Sequence, residues 1–228
     1  MKIYGFQKMT LLDFPTKVAC TIFTGGCNFR CPFCHNAGLV THIDGPQIPV
    51  QEIFSYLEKR KGILDGVCIT GGEPLLQPDI VEFISTIKNM GYAVKLDTNG
   101  AFPDRLKELI DASLLDYVAM DIKNSKEKYA QTCGIDIDIS IIEKSVEILK
   151  EGKVPYEFRT TLVRELHTEE DILSMANWLS GTRYWYLQSF VDSGDLIGKN
   201  LSAPSKEWVE NAQTLAVPLV AGVKVRGL

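Results

Sequence analysis

Three cysteines lie within eight residues of the chain, at positions 27, 31 and 34. Glycine, asparagine, arginine and proline surround them, a composition that favours a loop over three unrelated core positions. An iron–sulfur cluster is normally held by four cysteines, so three would leave one iron without a protein ligand. An open metal position is where a further ligand binds at catalytic sites. The spacing of Cys27, Cys31 and Cys34 therefore favours a catalytic metal cluster.

A structural zinc site is the main alternative for the same three thiols. His35 is a poor fourth ligand because it directly follows Cys34, whereas zinc ligands are usually separated by two or more residues. A fourth ligand could come from elsewhere in the chain: Cys20, Cys68, Cys133, His42 or His167. Without zinc, we expect these three cysteines to be ordinary core residues and the two histidines to lie at the surface.

Other polar residues cluster at the ends of β-rich runs. GGEP at 71–74, DTNG at 97–100 and DIK at 121–123 each follow or end such a run. Arg159 and Gln188 lie within two later runs. Because the βα loops of a barrel meet at the carboxyl ends of its strands, these residues can form one site.

The elements that must position these residues alternate along the chain. Predicted strands cover 18–23, 66–70, 93–97, 117–121, 156–163 and 184–190, and predicted helices cover 50–61, 78–90, 104–112, 140–151, 168–179 and 205–215. Alternation of this kind predicts βαβ units and a parallel sheet, either open and doubly wound or curved. A single site that draws on six strand ends favours the curved form, an α/β partial (βα)6 TIM-like barrel.

Length and composition bound the class of protein. The chain has 228 residues, of which 45% are hydrophobic, and a net charge of −5. We expect one domain over 1–228, with a core at about 15–190 and a C-terminal helix and tail at 205–228. The acidic balance disfavours nucleic acid as a partner. The lack of a signal peptide or a long apolar run predicts a cytoplasmic protein without a membrane partner.

The motifs together resemble the radical S-adenosylmethionine (SAM) superfamily. The matching features are C-x₃-C-x₂-C with Phe33 before its last cysteine, then CHN at 34–36, GGEP, DTNG and MDIK at 120–123. Within it, the chain is most similar to activases of glycyl-radical enzymes. The segments GFQKMTLLDFP, YEFRTTLV and YLQSF look most like anaerobic ribonucleoside-triphosphate reductase activating proteins. The resemblance covers about residues 5 to 190 and implies a barrel of the radical SAM type.

The resemblance implies two cofactors and the residues that bind them. Cys27, Cys31 and Cys34 would hold a 4Fe-4S cluster, and SAM would bind its open iron through amino and carboxylate groups. The SAM-binding residues implied are Phe33, His35, Gly71, Gly72, Glu73, Pro74, Asp97, Asn99, Asp121, Ile122, Lys123, Arg159 and Gln188. Among these, Glu73 would accept from the SAM ammonium and Lys123 would face the SAM carboxylate or ribose. Arg159 would hold the carboxylate or instead form a structural ion pair.

A third ligand is implied by relatives that resemble pyruvate formate-lyase activase. There the DTNG and MD-x-K segments hold a monovalent cation beside the SAM carboxylate, which implies Asp97, Thr98, Met120 and Asp121 in this chain. Two neighbouring carboxylates could instead serve as a general acid and base.

The implied activity is activation of a glycyl-radical enzyme. The partner would be anaerobic ribonucleotide reductase, and a one-electron donor such as flavodoxin or ferredoxin would supply the electron. Two alternatives remain open at this point. One is a radical SAM enzyme that acts on a small molecule, like 7-carboxy-7-deazaguanine synthase, and the other is a zinc-binding interaction protein.

Overall fold

The computed structural model describes residues 1–43 and 45–227. The strands are β1 Ile3–Thr10, β2 Ala19–Thr24, β3 Gly66–Gly71, β4 Ala93–Thr98, β5 Tyr117–Asp121, β6 Tyr156–Leu162, β7 Trp185–Ser189 and β8 Val223–Arg226. The helices are α1 Ala37–Val40, α2 Val50–Glu58, α3 Ile80–Asn89, α4 Pro103–Asp111, α5 Tyr129–Cys133, α6 Ile139–Lys150, α7 Glu169–Trp178 and α8 Lys206–Ala216. Short 3₁₀ turns lie at Pro74–Leu76 and Lys126–Lys128.

All eight strands belong to one sheet, in the order in which they occur along the chain. Strands β2 to β8 run parallel to one another, and β1 pairs antiparallel with β2. A doubly wound sheet would reverse its strand order near the middle. The consecutive order therefore confirms the partial barrel, and β2 to β7 are the six predicted strands. The edge strands β1 and β8 were not predicted.

Alternation along the strands decides which side chains enter the barrel. Asp97, Asp121, Arg159 and Gln188 all line one cavity. Side chains two residues apart on a strand share a face, so residues two positions earlier point the same way: Lys95, Ala119, Glu157 and Tyr186. The residues between them face the helices and are fully buried: Leu96, Met120, Phe158 and Leu187. The barrel interior is therefore polar, whereas the core lies between sheet and helices.

Helix caps fix where several crossovers begin. Thr168 and Asp171 form a capping box at the start of α7, and Ser205 accepts from the Trp208 amide at the start of α8. Each side-chain cap satisfies amides that the first turn leaves unpaired. Across the described residues, the structure contains no helix of sufficient length and apolar character to cross a membrane.

Candidate active site

A cavity of about 470 Å³ lies at the carboxyl ends of the strands. Most of the predicted site residues line it: Cys27, Cys31, Phe33, Cys34, His35, Gly71, Gly72, Asp97, Thr98, Asn99, Asp121, Lys123, Arg159 and Gln188. The structure thus brings together residues from the ends of six strands, as the sequence predicted. Lining residues that were not assigned to the site from sequence are Asp13, Phe29, Asn36, Val40, Thr70, Thr161 and Ser189.

The three thiols of the cysteine loop sit in different surroundings. Cys27 Sγ lies 3.4 Å from the Phe29 amide nitrogen and 3.7 Å from Asn99 Nδ2, both of which donate to it. Burial raises the pKa of the Cys27 thiol to about 12 and also raises that of Cys34. Both thiols therefore stay protonated without metal, and a metal must displace their protons.

Cys133 is a contact of the cysteine loop that the sequence did not predict. The Arg30 amide donates to the Cys133 carbonyl at 2.8 Å, which joins the end of α5 to the loop. A side-chain hydrogen bond from Cys133 lowers the pKa of Cys31, while burial raises the pKa of Cys133. Cys133 is thus a buried thiol that interacts with a predicted cluster ligand. Nothing in the local sequence indicates this contact, because it depends on how α5 packs.

The glycines of the GGEP turn allow two backbone segments to approach each other. The Gly72 amide donates to the Thr24 carbonyl, and the Glu73 amide donates to the Gly26 carbonyl, each at 2.9 Å. A Cβ placed on Gly72 would lie 2.0 Å from the Gly26 oxygen. Asn36 Nδ2 also donates to the Gly71 carbonyl at 2.9 Å. These glycines therefore anchor the cysteine loop, in addition to lining the cavity.

Glu73 does not take the position that the resemblance implied. Its side chain is fully buried and does not line the cavity. One carboxylate oxygen accepts from the Leu75 amide at 3.0 Å and from Thr98 Oγ1 at 2.8 Å, and the other accepts from the Asn99 amide at 2.7 Å. Burial outweighs these donors and raises the pKa of Glu73 to about 7. In this structure Glu73 ties the GGEP turn to the DTNG segment, and its contact with the SAM ammonium stays a prediction.

Three other predicted residues are buried outside the cavity lining. Pro74 opens a 3₁₀ turn. The Ile122 carbonyl accepts from Thr160 Oγ1 at 2.8 Å. Met120 packs beneath Gly100, where an added Cβ would lie 2.1 Å from its terminal methyl. Their contacts are structural, and none of the three side chains lines the cavity.

Five charged side chains form a chain of ion pairs along the barrel wall. Arg159 donates to Asp97 and to Asp121, each at 2.8 Å. Lys95 pairs with Asp97 from below, and Lys123 pairs with Asp121 at 3.0 Å. Burial alone would raise the pKa of each carboxyl, but the Arg159 charge lowers that of Asp121 to about 2 and that of Asp97 as well. Three cations and two carboxylates give this group of five side chains a net charge of +1, which suits an anionic ligand group.

These ion pairs argue against the predicted monovalent cation. All four carboxylate oxygens of Asp97 and Asp121 accept from protein cations. A bound metal ion would also stand beside three positive side chains, which would repel it. An acid–base role for the two carboxylates is disfavoured for the same reason, because both are held ionised.

The two histidines outside the cysteine loop differ from each other. His42 is exposed, as predicted. His167 is buried, contrary to the prediction, and burial lowers its pKa. Its Nε2 lies 2.9 Å from the Lys123 carbonyl, and its Nδ1 lies 3.1 Å from the Val163 amide. His167 therefore fixes the backbone behind Lys123. Cys20 and Cys68 are buried in strands, as predicted.

The residues present fit a 4Fe-4S cluster. Three thiols on one loop line the cavity, and the donors beside Cys27 can hydrogen-bond a ligand sulfur. The positive ion-pair chain lines the same cavity and can receive an amino-acid carboxylate. A partial barrel with three thiols on a loop at its strand ends suits an α/β enzyme that holds an iron–sulfur cluster there.

The model of the radical SAM superfamily matches residues 21–179, and the chain belongs to this superfamily. It therefore uses a 4Fe-4S cluster and SAM. Over 233 aligned residues it is 34% identical to a proposed glycyl-radical enzyme activating enzyme of Methanocaldococcus jannaschii, covering 98% of this chain and 95% of that protein. It is 30% identical over 128 residues to the pyruvate formate-lyase-activating enzyme of Clostridium pasteurianum, covering 54% of this chain and 52% of that one.

Solved structures share the fold. The structure of Streptococcus suis SuiB bound to S-adenosylmethionine superposes with a TM-score of 0.65 at 14% identity. The match covers 89% of this chain and 48% of SuiB. At this identity the likeness concerns the fold alone.

Proposed function

We propose that this protein activates a glycyl-radical enzyme. It would use SAM and one electron to remove a hydrogen atom from a glycine Cα of a partner protein, leaving a glycyl radical. The observation that carries the proposal is the similarity to the archaeal relative, which extends over nearly the whole of both chains. The shorter match to pyruvate formate-lyase-activating enzyme supports the same class of reaction.

Each part of the cavity has a role in this proposal. Cys27, Cys31 and Cys34 hold the cluster through their thiolates. When these thiolates hold a reduced 4Fe-4S cluster, the chemistry it would supply is the one electron needed for reductive cleavage of SAM. Arg159 and Lys123 hold the SAM carboxylate by charge-assisted hydrogen bonds.

The remaining lining residues orient the nucleoside of SAM in this proposal. The backbone at 33–35 would approach the adenine, and Gln188, which lines the same cavity, would contact the nucleoside. Lys123 Nζ lies 5.9 Å from the centre of the Phe33 ring, so the aromatic face also helps to fix this cation. These contacts orient SAM so that its 5′ carbon can face an incoming glycine.

The open sheet supports a macromolecular substrate. Within residues 1–43 and 45–227, β1 pairs only with β2 and β8 only with β7, so the barrel does not close. An open barrel leaves room beside the strand ends for a loop of another protein. This suits a reaction in which a glycine of a folded partner must reach bound SAM.

The partner we propose is anaerobic ribonucleoside-triphosphate reductase, with flavodoxin or ferredoxin as electron donor. The support is the similarity of the opening segment and of the YEFRTTLV and YLQSF segments to activating proteins of that reductase. Two of these segments form β6 and β7, which carry Arg159 and Gln188 to the cavity.

The test is electron paramagnetic resonance of anaerobic mixtures that contain reconstituted protein, SAM, reductant and a candidate partner. We expect a doublet glycyl signal with anaerobic ribonucleotide reductase and none with pyruvate formate-lyase. The Cys34→Ala variant should abolish the signal, while Cys20→Ala, at a fully buried cysteine of β2 that does not line the cavity, should keep it. A signal with pyruvate formate-lyase alone would contradict the named partner. SAM cleavage that requires a small metabolite would contradict activation altogether.

A further inference from the structure

We propose that the Lys95 ammonium does the work of a bound monovalent cation in this protein, so that SAM binding needs no alkali-metal ion. The inference rests on the proposed SAM site beside Asp97 and Asp121. It makes Lys95 a positioning residue, since Lys95 acts on the ligand through Asp97. No role for Lys95 was predicted from the sequence.

Lys95 lies in a buried position, where its ammonium requires a charged partner. Its side chain is 3% exposed, it pairs with Asp97 Oδ1, and its Nζ lies 3.8 Å from Cys68 Sγ. A buried lysine needs a charged partner to stay protonated without a large free-energy cost. Asp97 is the only carboxylate that pairs with Lys95 among the described residues. The Lys95 charge therefore depends on Asp97, which also binds Arg159.

The strand pairing explains why the ammonium reaches this point. Lys95 precedes Asp97 by two residues on β4, so both side chains enter the barrel on the same face. Cys68 and Tyr117 pair with Lys95 on the neighbouring strands and flank it. The lysine side chain is long enough to extend upward along the wall to the carboxylate. Its position is thus set by the strand and needs no added ligand.

Lys95 completes the neutralisation of the carboxylate pair. Arg159 binds Asp97 Oδ2 and Asp121 Oδ1, and Lys123 binds Asp121 Oδ2. Asp97 Oδ1 is the one oxygen left, and Lys95 binds it. If Lys95 were neutral, that oxygen would face the barrel interior without a cation. An alkali-metal ion could then enter and restore the balance.

The experiment measures SAM affinity of the cluster-loaded protein by anaerobic equilibrium dialysis, in potassium, sodium or choline chloride at constant ionic strength. We expect the wild-type dissociation constant to be the same in all three salts. Lys95→Met should bind SAM about tenfold more weakly in choline, the loss typical of a hydrogen bond to a charged group. Potassium should restore part of that affinity.

Control variants separate this role from a loss of structure. Lys88→Met removes a lysine that pairs with Asp116 at 2.6 Å, away from the cavity lining, and should behave like wild type. Lys95→Arg keeps a cation and should stay independent of potassium, even if its affinity changes. Thermal unfolding in the same salts gives a second measurement, in which potassium should stabilise Lys95→Met alone.

Each other outcome overturns the inference. A wild-type affinity that rises saturably with potassium but not with choline would show that a metal ion is required. A Lys95→Met variant that binds SAM as wild type does in choline would show that Lys95 has no such role. If wild type bound no SAM in any salt, the proposed SAM site itself would fail, a result distinct from potassium dependence.

Discussion

At the level of single residues, the cysteines of the loop differ in what donates to their sulfur atoms. Cys27 Sγ accepts from the Phe29 amide and from Asn99 Nδ2, while the buried Cys133 thiol interacts with Cys31 and lowers its pKa. Hydrogen bonds to ligand sulfurs are among the factors that set the reduction potential of an iron–sulfur cluster. They raise it because they stabilise the more negative, reduced state.

Replacing Cys133 should therefore change the cluster potential. In Cys133→Ala we expect a lower potential by up to about 60 mV, which is about a tenfold change in a one-electron equilibrium. Cys133→Ser keeps a donor and should stay closer to wild type, and Cys20→Ala is the control for loss of a buried thiol. The measurement is a spectroscopic redox titration of the reconstituted proteins. Identical potentials for Cys133→Ala and wild type would contradict the role.

Glu73 makes a second residue-level prediction, which concerns pH. Its folded pKa of about 7 lies above the ordinary value of 4.5. The folded state therefore holds the proton more tightly than the unfolded state does. The stability that this provides is full below about pH 4.5 and is lost as pH rises through 7, a change of roughly 3 kcal/mol.

The measurement compares urea unfolding of wild type and Glu73→Gln between about pH 5 and about pH 8. This range includes most of the interval between the unfolded and folded pKa values of Glu73. We expect the unfolding free energy of wild type to fall with pH relative to that of the variant. Glu58→Gln, at an exposed glutamate of α2, should run parallel to wild type. Parallel curves for Glu73→Gln and wild type would show that Glu73 titrates normally.

At the level of elements, α5 supports the cysteine loop through a glycine. Gly134 caps α5 with φ of 68°, and an added Cβ would lie 2.3 Å from the Arg30 carbonyl oxygen. Gly181, after α7, has φ of 83° but open space around it. Alanine costs about 1–2 kcal/mol at either site because of the left-handed backbone. At Gly134 the added methyl group would in addition clash with Arg30, so α5 would have to move away from the cysteine loop.

Gly134→Ala should therefore bind less iron–sulfur cluster than wild type. Gly181→Ala should lower only the free energy of unfolding. We expect fewer irons per chain after reconstitution of Gly134→Ala and a faster loss of cluster absorbance under a chelator. Gly181→Ala should retain wild-type iron content. Equal iron content in the two variants would mean that α5 does not hold the loop in place.

The same elements show what the sequence could predict. Strands β2 to β7 have continuous β-rich runs bounded by turn residues, so hydrophobic pattern alone located them. β1 has a half-exposed middle, and β8 has only four residues, so neither shows a buried run. Cluster ligands follow from spacing, but the contacts of Cys133, Lys95 and Glu73 depend on packing between distant segments. Lys95 had one overlooked signal, its spacing of two from Asp97.

At the level of the whole molecule, the open barrel has a second polar group below the active site. Glu157 is 1% exposed and accepts from Tyr117 Oη at 3.0 Å. Arg226 of β8 reaches the same carboxylate at 3.0 and 3.2 Å, and its guanidinium lies 3.4 Å from the Tyr186 ring centre. The last strand thus supplies the cation for a carboxylate buried inside the barrel.

This pair should couple the edge strand β8 to the stability of the whole barrel. Arg226→Met leaves a buried carboxylate without this cation, and because Arg226 is 39% exposed and Tyr117 still donates, we expect a cost of about 1–3 kcal/mol. In a Glu157→Gln background the same change should cost far less, because no charge is left unpaired. Urea unfolding of the two single variants and the double variant measures the coupling. Lys224→Met, at an exposed position of β8, is the control for altering the strand itself. Additive effects of the two changes would mean that the Glu157–Arg226 pair does not couple β8 to the barrel.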